Sequence, residues 1–268
     1  MQRRTWLQKF LFAIALIIWT TGCILLIQFL LALLVRFTIS NFPISTSLAQ
    51  TIYTILTYVI AIPLIIILPS VISRKIKSSK HPGLKDSIKS TRSDLGLTSW
   101  PTWTDLGLAP VGFVIYTIIA AIINGIFTAF PWYNATEAQD LGYNQFIFGF
   151  DRVLAFFALV IVVPIAEELI FRGFLYIKLK KTFLPRRQSA QRTKNRFEII
   201  AIIAASLITS LIFALMHGQW NVGINVFIMS LTLCAMREIT GTIYSGIILH
   251  MIKNSIAFVI IFVLGGGF

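Results

Sequence analysis

The chain has 268 residues, of which 57% are hydrophobic and only 12% are charged. Soluble domains contain about 45–50% apolar and about 25% charged residues, so this composition excludes an ordinary soluble domain and predicts an all-α, polytopic membrane helix bundle. The formal net charge of +13 is concentrated in a few segments without an aromatic-and-basic module, which favours a role in membrane orientation over binding of nucleic acid.

Seven apolar runs are long enough to cross the lipid bilayer. A span needs about 20 predominantly apolar residues, and only a helix lets such a segment satisfy its own backbone hydrogen bonds in lipid. The first run is longer than the apolar core of a signal peptide, so we interpret it as an uncleaved span. The predicted spans, in chain order, cover residues 10–35, 48–72, 108–130, 152–177, 198–217, 221–236 and 242–264.

The basic residues between the spans predict the orientation. Segments 73–92 and 178–196, which follow the second and fourth spans, are rich in Lys and Arg, as is the N-terminus. Segment 131–145, after the third span, contains neither and carries Glu137 and Asp140. Because positive loops stay inside, we expect a multi-pass protein of the cell membrane whose N-terminus and both basic segments are cytoplasmic.

Two tryptophans before the third span and two asparagines inside predicted spans are further polar features. The stretch TSWPTW, which precedes that span, carries Trp100 and Trp103. Tryptophan is enriched at membrane–water interfaces, so this stretch is predicted to be re-entrant or interfacial. Asn124 and Asn225 lie inside predicted spans, and we expect them to form interhelical polar contacts.

The fourth span contains three charged residues in the stretch VVPIAEELIFRGFLY. Glu168 and Arg172 are four residues apart, so they share one helix face and can pair. Glu167 is turned from them by about 100°. Each charged group at mid-membrane costs about 2.5–3.5 kcal/mol on insertion scales, so the stretch predicts a buried polar site that compensates this cost.

Two later spans repeat this spacing with other polar residues. Phe213 and His217 are four residues apart, and so are His250 and Asn254. Intramembrane ionisable residues usually face the bundle interior and mark function. Each group also has a structural interpretation, as a buried ion pair, a hydrogen-bonded core histidine or an interhelical pair. Their coincidence on three helices favours one shared site.

A carboxylate, two histidines and an amide are suited to hydrolysis. A carboxylate beside a histidine can take a proton from water, and an amide and a histidine N–H can bind the oxyanion that forms when water attacks a carbonyl. Glu167, His217 and His250 would also provide the two-His-one-carboxylate set of catalytic zinc sites. The residues themselves leave activation of water by zinc and by the side chains both open.

The three stretches resemble the signature motifs of the CAAX-protease and bacteriocin-processing family, also called the Abi or type II CAAX-endopeptidase family. In this sequence the matching residues are Glu167, Glu168 and Arg172 for EExxxR, Phe213 and His217 for FxxxH, and His250 and Asn254 for HxxxN. The resemblance covers about residues 150–260. We therefore expect 1–149 to form N-terminal transmembrane helices with a basic cytoplasmic loop, and 150–268 to form the protease core.

The resemblance implies an intramembrane endopeptidase whose partner is a peptide or protein substrate in the membrane. Glu167 would activate water with the help of His217, and His250 and Asn254 would form the oxyanion hole. A structural or substrate-orienting role is implied for Glu168, Arg172 and Phe213. Family members have been described both as zinc-dependent and as glutamate-dependent without metal, and we expect the latter here. Some members cut prenylated proteins and others process bacteriocins, and nothing in this sequence selects a prenyl substrate.

Two alternatives use the same residues without proteolysis. A membrane immunity or scaffold protein would need the polar cluster only to hold its helices together. A proton-coupled carrier would use Glu167 as its proton site, and Pro164 would then mark a helix break of the kind that transporters contain.

The depths of the two histidines conflict with straight helices. At 1.5 Å per residue, His250 lies about 12 Å and His217 about 28 Å from the predicted cytoplasmic side. The two can meet only if the fifth span is tilted and starts beyond the bilayer, or if the predicted limits are wrong by a turn or two.

Overall fold

The computed structural model describes residues 5–69, 71–72, 91–134, 142–143, 148–184 and 191–265, with the backbone alone for 191–195. These residues contain no strand, and seven helices among them are long and apolar enough to cross a membrane. We name them α1 to α7: Trp6–Asn41, Thr46–Ile67, Trp103–Phe127, Gly149–Phe183, Gln191–Leu215, Trp220–Thr240 and Tyr244–Val263. Each overlaps one predicted span, so the all-α, multi-pass fold is confirmed.

Several segments that predicted the orientation lie outside the described residues. They are residues 1–4, 73–90, 135–141, 144–145 and 185–190. The cytoplasmic N-terminus therefore stays a prediction.

Helix α4 occupies the centre of the bundle. It packs against α1, α2, α5, α6 and α7, while α3 lies against α6 and α7. Every residue from Ile170 to Tyr176 is buried, whereas α1 and α3 expose many large apolar side chains, as lipid-facing helices do. The charged stretch therefore lies on the most enclosed helix.

Capping side chains fix where several helices begin and how they meet. Ser45 caps α2 by accepting from the Leu48 N–H, and its hydroxyl donates to Asp151 at the start of α4 over 2.5 Å. Asp105, in the first turn of α3, accepts from the Thr242 hydroxyl at 2.6 Å. Gly241 ends α6 with φ of +71°, which lets the chain turn directly into α7.

Helix α4 widens on both sides of Pro164 instead of breaking there. Residues 157–162 and 168–176 are π-helical, and the Val163 N–H bonds to the Ala158 carbonyl five residues earlier. In that register the Leu159 carbonyl would accept from residue 164, but proline has no N–H. The Leu159 oxygen is consequently left for a donor from another helix.

The segment before α3 packs on the end of α4. One helical turn covers 91–95, and Leu95 lies so close to Gly173 that a Cβ there would be 2.9 Å from the Leu95 Cδ2 atom. The Trp100 and Trp103 side chains are 89% and 88% exposed, which suits the predicted interfacial position. Their depth in a bilayer stays a prediction.

The predicted contact between two intramembrane asparagines is confirmed. The Asn124 amide on α3 donates to the Asn225 side-chain oxygen on α6 at 2.7 Å. The Tyr133 hydroxyl donates to the Asn124 side-chain oxygen as well. These contacts tie α3 to α6 at one end of the bundle.

Candidate active site

The first motif forms a nearly dry ion pair. The Arg172 Nη1 atom donates to Glu168 Oε1 at 2.9 Å, and both side chains are only 1% exposed, so their predicted pairing is confirmed. Gly246 on α7 makes room for this carboxylate, because a Cβ there would lie 3.0 Å from Glu168 Oε2. That oxygen has no hydrogen-bond partner among the described residues.

Phe213 connects the first motif to the two histidines. Its ring, 1% exposed, lies 4.6 Å from the Arg172 guanidinium carbon, a cation–π distance. The same ring is 5.1 Å from the His217 ring and 6.2 Å from the His250 ring, measured between centroids. One phenylalanine therefore contacts residues of all three motifs.

His250 lies between the two adjacent glutamates. Its Nδ1 atom is 3.3 Å from Glu168 Oε1, and its Nε2 atom is 3.6 Å from Glu167 Oε2. Because Glu168 is ion-paired, its oxygen accepts, so Nδ1 carries a proton. A ring with that single proton presents Nε2 to Glu167 as an acceptor, and Nε2 becomes a donor only when the ring takes a second proton.

Glu167 is held from a helix that carries none of the motifs. The Tyr58 hydroxyl on α2 donates to Glu167 Oε1 at 2.5 Å. The other oxygen, Oε2, faces His250, and the residue is only 8% exposed. No pattern in the sequence indicated Tyr58, because a tyrosine in an apolar span has the same pattern whether it faces lipid or a carboxylate.

His217 is oriented by the turn that follows α5. Gly218, with φ of +68°, redirects the chain just after it, and His217 Nδ1 donates to the Phe213 carbonyl at 2.8 Å. Burial lowers the pKa of His217 below its usual value, although Glu167 opposes this shift. With its proton on Nδ1, the neutral ring presents Nε2 as a proton acceptor near neutral pH.

Asn254 satisfies the carbonyl that Pro164 leaves without a helical donor. Its amide nitrogen donates to the Leu159 oxygen at 2.8 Å. This contact fixes α7 against α4 and uses one of the two amide hydrogens. The other hydrogen remains for a group inside the cavity described next.

A cavity of about 470 Å³ encloses the predicted residues. Glu167, His217, His250 and Asn254 all line it, and its volume far exceeds the roughly 30 Å³ that one water occupies in the liquid. The polar part of the opposite wall comes from α2 and consists of Gln50, Tyr53, Thr54, Thr57 and Tyr58. Residues from both predicted domains, 1–149 and 150–268, thus line one cavity. The boundary between the two domains stays a prediction.

Lys253 also lines this cavity, although the sequence analysis did not single it out. A lysine inside a predicted span is an ionisable residue at membrane depth, which is the same signal that marked the glutamates. That signal was sufficient to find it.

Helix α5 begins earlier than predicted, which agrees with the expectation that the fifth span starts beyond the bilayer. The helix begins at Gln191, about two turns before the predicted limit, and the depth of the histidines in a bilayer stays a prediction. His217 follows the end of this helix at Leu215 and lines the same cavity as His250.

The predicted zinc set is not assembled by the side chains as they stand. Glu167 and His250 approach each other, but no three His, Cys, Asp or Glu side chains in the described ranges form a group that could hold a metal ion. Structural and catalytic zinc sites need at least three protein ligands. The described side chains therefore do not fit a zinc ion in this arrangement.

One family model matches part of this chain. Residues 149–256 match the family model described as type II CAAX prenyl endopeptidase, Rce1-like. The matched segment, about two fifths of the chain, contains all three motifs and excludes Tyr58. No curated protein and no solved structure matches the chain. Residues 149–256 are thus similar to the type II CAAX prenyl endopeptidases, which supports the resemblance of this chain to the CAAX-protease and bacteriocin-processing family.

Proposed function

We propose that the chain is an intramembrane endopeptidase that hydrolyses peptide bonds of membrane-associated or small peptide substrates. The observation that carries this proposal is the position of Glu167, which shares a cavity with both histidines on the central helix of the bundle. A carboxylate in such a place is costly in lipid, and a site that uses it to activate water explains why it is there.

In the proposed reaction, Glu167 takes a proton from a water molecule in the cavity while the water oxygen attacks the scissile carbonyl carbon. Tyr58 holds one carboxylate oxygen and leaves the other for the water. His217 assists by presenting its unprotonated Nε2 atom to the same water. The proton then passes to the leaving amine, the C–N bond breaks, and a carboxylic acid and an amine are released.

His250 and Asn254 are proposed to hold the oxyanion of the tetrahedral intermediate. Asn254 has one amide hydrogen for this purpose, since the other is bonded to Leu159. His250 donates only when it carries a second proton, and its position between two carboxylates supplies negative charge on both sides of the ring. The Glu168–Arg172 pair and Phe213 position these groups without contacting the reacting atoms.

Glu167→Gln tests the proposal. It removes the base and keeps the shape, so cleavage of a membrane-delivered peptide in detergent or vesicles should fall by about 10²–10⁴-fold. His217→Ala should also abolish cleavage. Glu238→Gln is the matched control, because that carboxylate pairs with Lys180 outside the cavity. Full activity of Glu167→Gln would refute the proposal.

The same variant separates the alternatives. A scaffold or immunity protein would keep its effect on cells after Glu167→Gln, whereas a carrier would lose uptake or proton flux. The inactive protein also serves as a trap, since cross-linking it in membranes identifies the peptides that occupy the cavity. Elemental analysis and a chelator titration of the purified protein test the glutamate-dependent mechanism, which stoichiometric, activity-linked zinc would overturn.

A further inference from the structure

The proposed oxyanion site has few free donors. His250 Nδ1 is committed to Glu168, and its Nε2 atom needs a second proton before it can donate. Asn254 has committed one of its two amide hydrogens to Leu159. A tetrahedral oxyanion in a water-poor cavity is normally held by two or more aligned donors, so one amide hydrogen and a conditional imidazole leave room for a further group.

Lys253 is the cation placed to fill this gap. It lies on α7 between His250 and Asn254 and lines the same cavity as Glu167 and His217. None of the described residues accepts a hydrogen bond from its ammonium group. The other lysines with described side chains all donate to an oxygen atom: Lys9 to Leu184, Lys178 and Lys181 to Asp94, and Lys180 to Glu238.

Lys253 provides a positive charge that can balance the negative charge of the site before and after attack. Glu168 and Arg172 neutralise each other, which leaves the Glu167 carboxylate and the Lys253 ammonium as the remaining pair at rest. When Glu167 takes the proton from water it becomes neutral, and one negative charge appears on the former carbonyl oxygen. A cation that lines the same cavity as Glu167 can act as the counter-charge for this negative charge throughout the step.

We propose that Lys253 is a further catalytic residue whose ammonium group binds the oxyanion of the tetrahedral intermediate. This inference rests on the proposed function. It assigns Lys253 to the transition state and not to recognition of the intact substrate, because Lys253 lines the same cavity as Glu167 and His217, the two residues proposed to activate the water.

The test compares Lys253→Met, Lys253→Gln and Lys253→Arg in the full chain, with Lys180→Met as the control for loss of a lysine outside the cavity. The substrate is a lipid-anchored peptide that the wild type cleaves. We expect kcat to fall about 10²–10³-fold in the Met and Gln variants with little change in KM, at least tenfold recovery in Lys253→Arg, and wild-type kcat in the control. Thermal unfolding identifies any variant that is misfolded.

A second measurement separates transition-state binding from substrate binding. In the Glu167→Gln background, which cleaves nothing, affinities are measured for the same peptide and for its anionic phosphinate analogue at the scissile bond. Lys253→Met should weaken binding of the phosphinate at least tenfold more than binding of the peptide. Equal weakening of both, or an unchanged kcat in Lys253→Met, would overturn the inference while leaving the proposed function intact. The proposed function fails separately, through an active Glu167→Gln.

Discussion

Helix α4 contributes acidic or basic side chains to two charged groups, one partly exposed and one buried. At the lysine-rich end of the helix, the rim cluster consists of Asp94, Lys178, Lys180, Lys181 and Glu238. Its side chains are between 17% and 55% exposed. Each lysine of this cluster pairs with a carboxylate, and water screens the charges because the side chains are partly exposed. Each ion pair therefore contributes at most about 1 kcal/mol to stability.

The central group consists of Glu167, Glu168 and Arg172, which lie in the buried part of α4. Glu168 and Arg172 are each 1% exposed and pair with each other. Glu167 forms no ion pair with a lysine or arginine among the described residues and faces the cavity that Lys253 also lines. Burying charges without full compensation costs several kcal/mol. The charges of α4 that form ion pairs therefore have a structural role, whereas Glu167, which faces the cavity, is the charge proposed to react.

The largest expected effect comes from breaking the central pair. Arg172→Met leaves the Glu168 carboxylate buried without its cation, which should lower the free energy of unfolding by about 3–5 kcal/mol. Lys180→Met in the rim cluster makes the same chemical change and should cost about 1 kcal/mol or less. Denaturant titration of both variants in micelles measures the difference.

Removing both charges of the Glu168–Arg172 pair tests whether the loss of stability comes from the unpaired carboxylate. In the double variant Glu168→Leu with Arg172→Met, no buried charge remains in the pair, so part of the lost stability should return, although activity should not, because His250 loses its Nδ1 acceptor. Equal costs for Arg172→Met and Lys180→Met would contradict the distinction between the two groups.

The next effect falls on activity. Tyr58→Phe removes the hydrogen bond to Glu167, and a hydrogen bond to a charged group contributes about 1.5–3 kcal/mol, so kcat/KM should fall by about 10- to 100-fold. Tyr116→Phe removes the hydroxyl of another buried tyrosine, on α3 and away from the cavity. Peptide cleavage by both variants checks the assignment, and equal losses would show that Tyr58 does not act through Glu167.

A smaller effect is expected where α7 passes the central pair. In Gly246→Ala the new Cβ would lie 3.0 Å from Glu168 Oε2, and overpacking costs about 1–3 kcal/mol, which exceeds the helix-propensity gain of about 1 kcal/mol. In Gly22→Ala on α1 the Cβ meets nothing within 4 Å, so only the gain remains. Opposite signs of the change in unfolding free energy are the expected outcome. Stabilisation of both variants would mean that the carboxylate moves aside freely.

The sequence predicted the parts of this molecule that depend on distance along one helix. The bilayer requires long apolar helices, so composition and run length were enough to find all seven. Spacing of four residues correctly placed Glu168 beside Arg172, and the cost of charge in lipid correctly indicated that Glu167 and the histidines share a cavity.

The parts that could not be predicted depend on how helices are rotated and widened relative to each other. Tyr58 reaches Glu167 from another span, and no pattern within α2 fixes which face of that helix turns inward. The acceptor of Asn254 depends on the π-helical register around Pro164, which leaves the Leu159 carbonyl free. Lys253 differs, because an intramembrane lysine was visible in the sequence and only its significance was missed.

The smallest expected effect tests the rim cluster itself. Burial raises the pKa of Asp94, but contacts with Lys181 and Lys178 outweigh it and hold that pKa below its usual value. A carboxyl group whose pKa is lowered by folding stabilises the protein above its unfolded pKa, here about 3.9, and loses that contribution as pH falls through the lower, folded pKa. Asp94→Asn should therefore lower the free energy of unfolding by at most about 1 kcal/mol at pH 7 and by progressively less below about pH 4.

Unfolding titrations of the wild type and of Asp94→Asn between pH 7 and pH 3 measure this convergence. Peptide cleavage should be unchanged, since the rim cluster lies outside the cavity. A difference that persists at pH 3 would mean that the substitution acts through a hydrogen bond of the side chain and not through its charge.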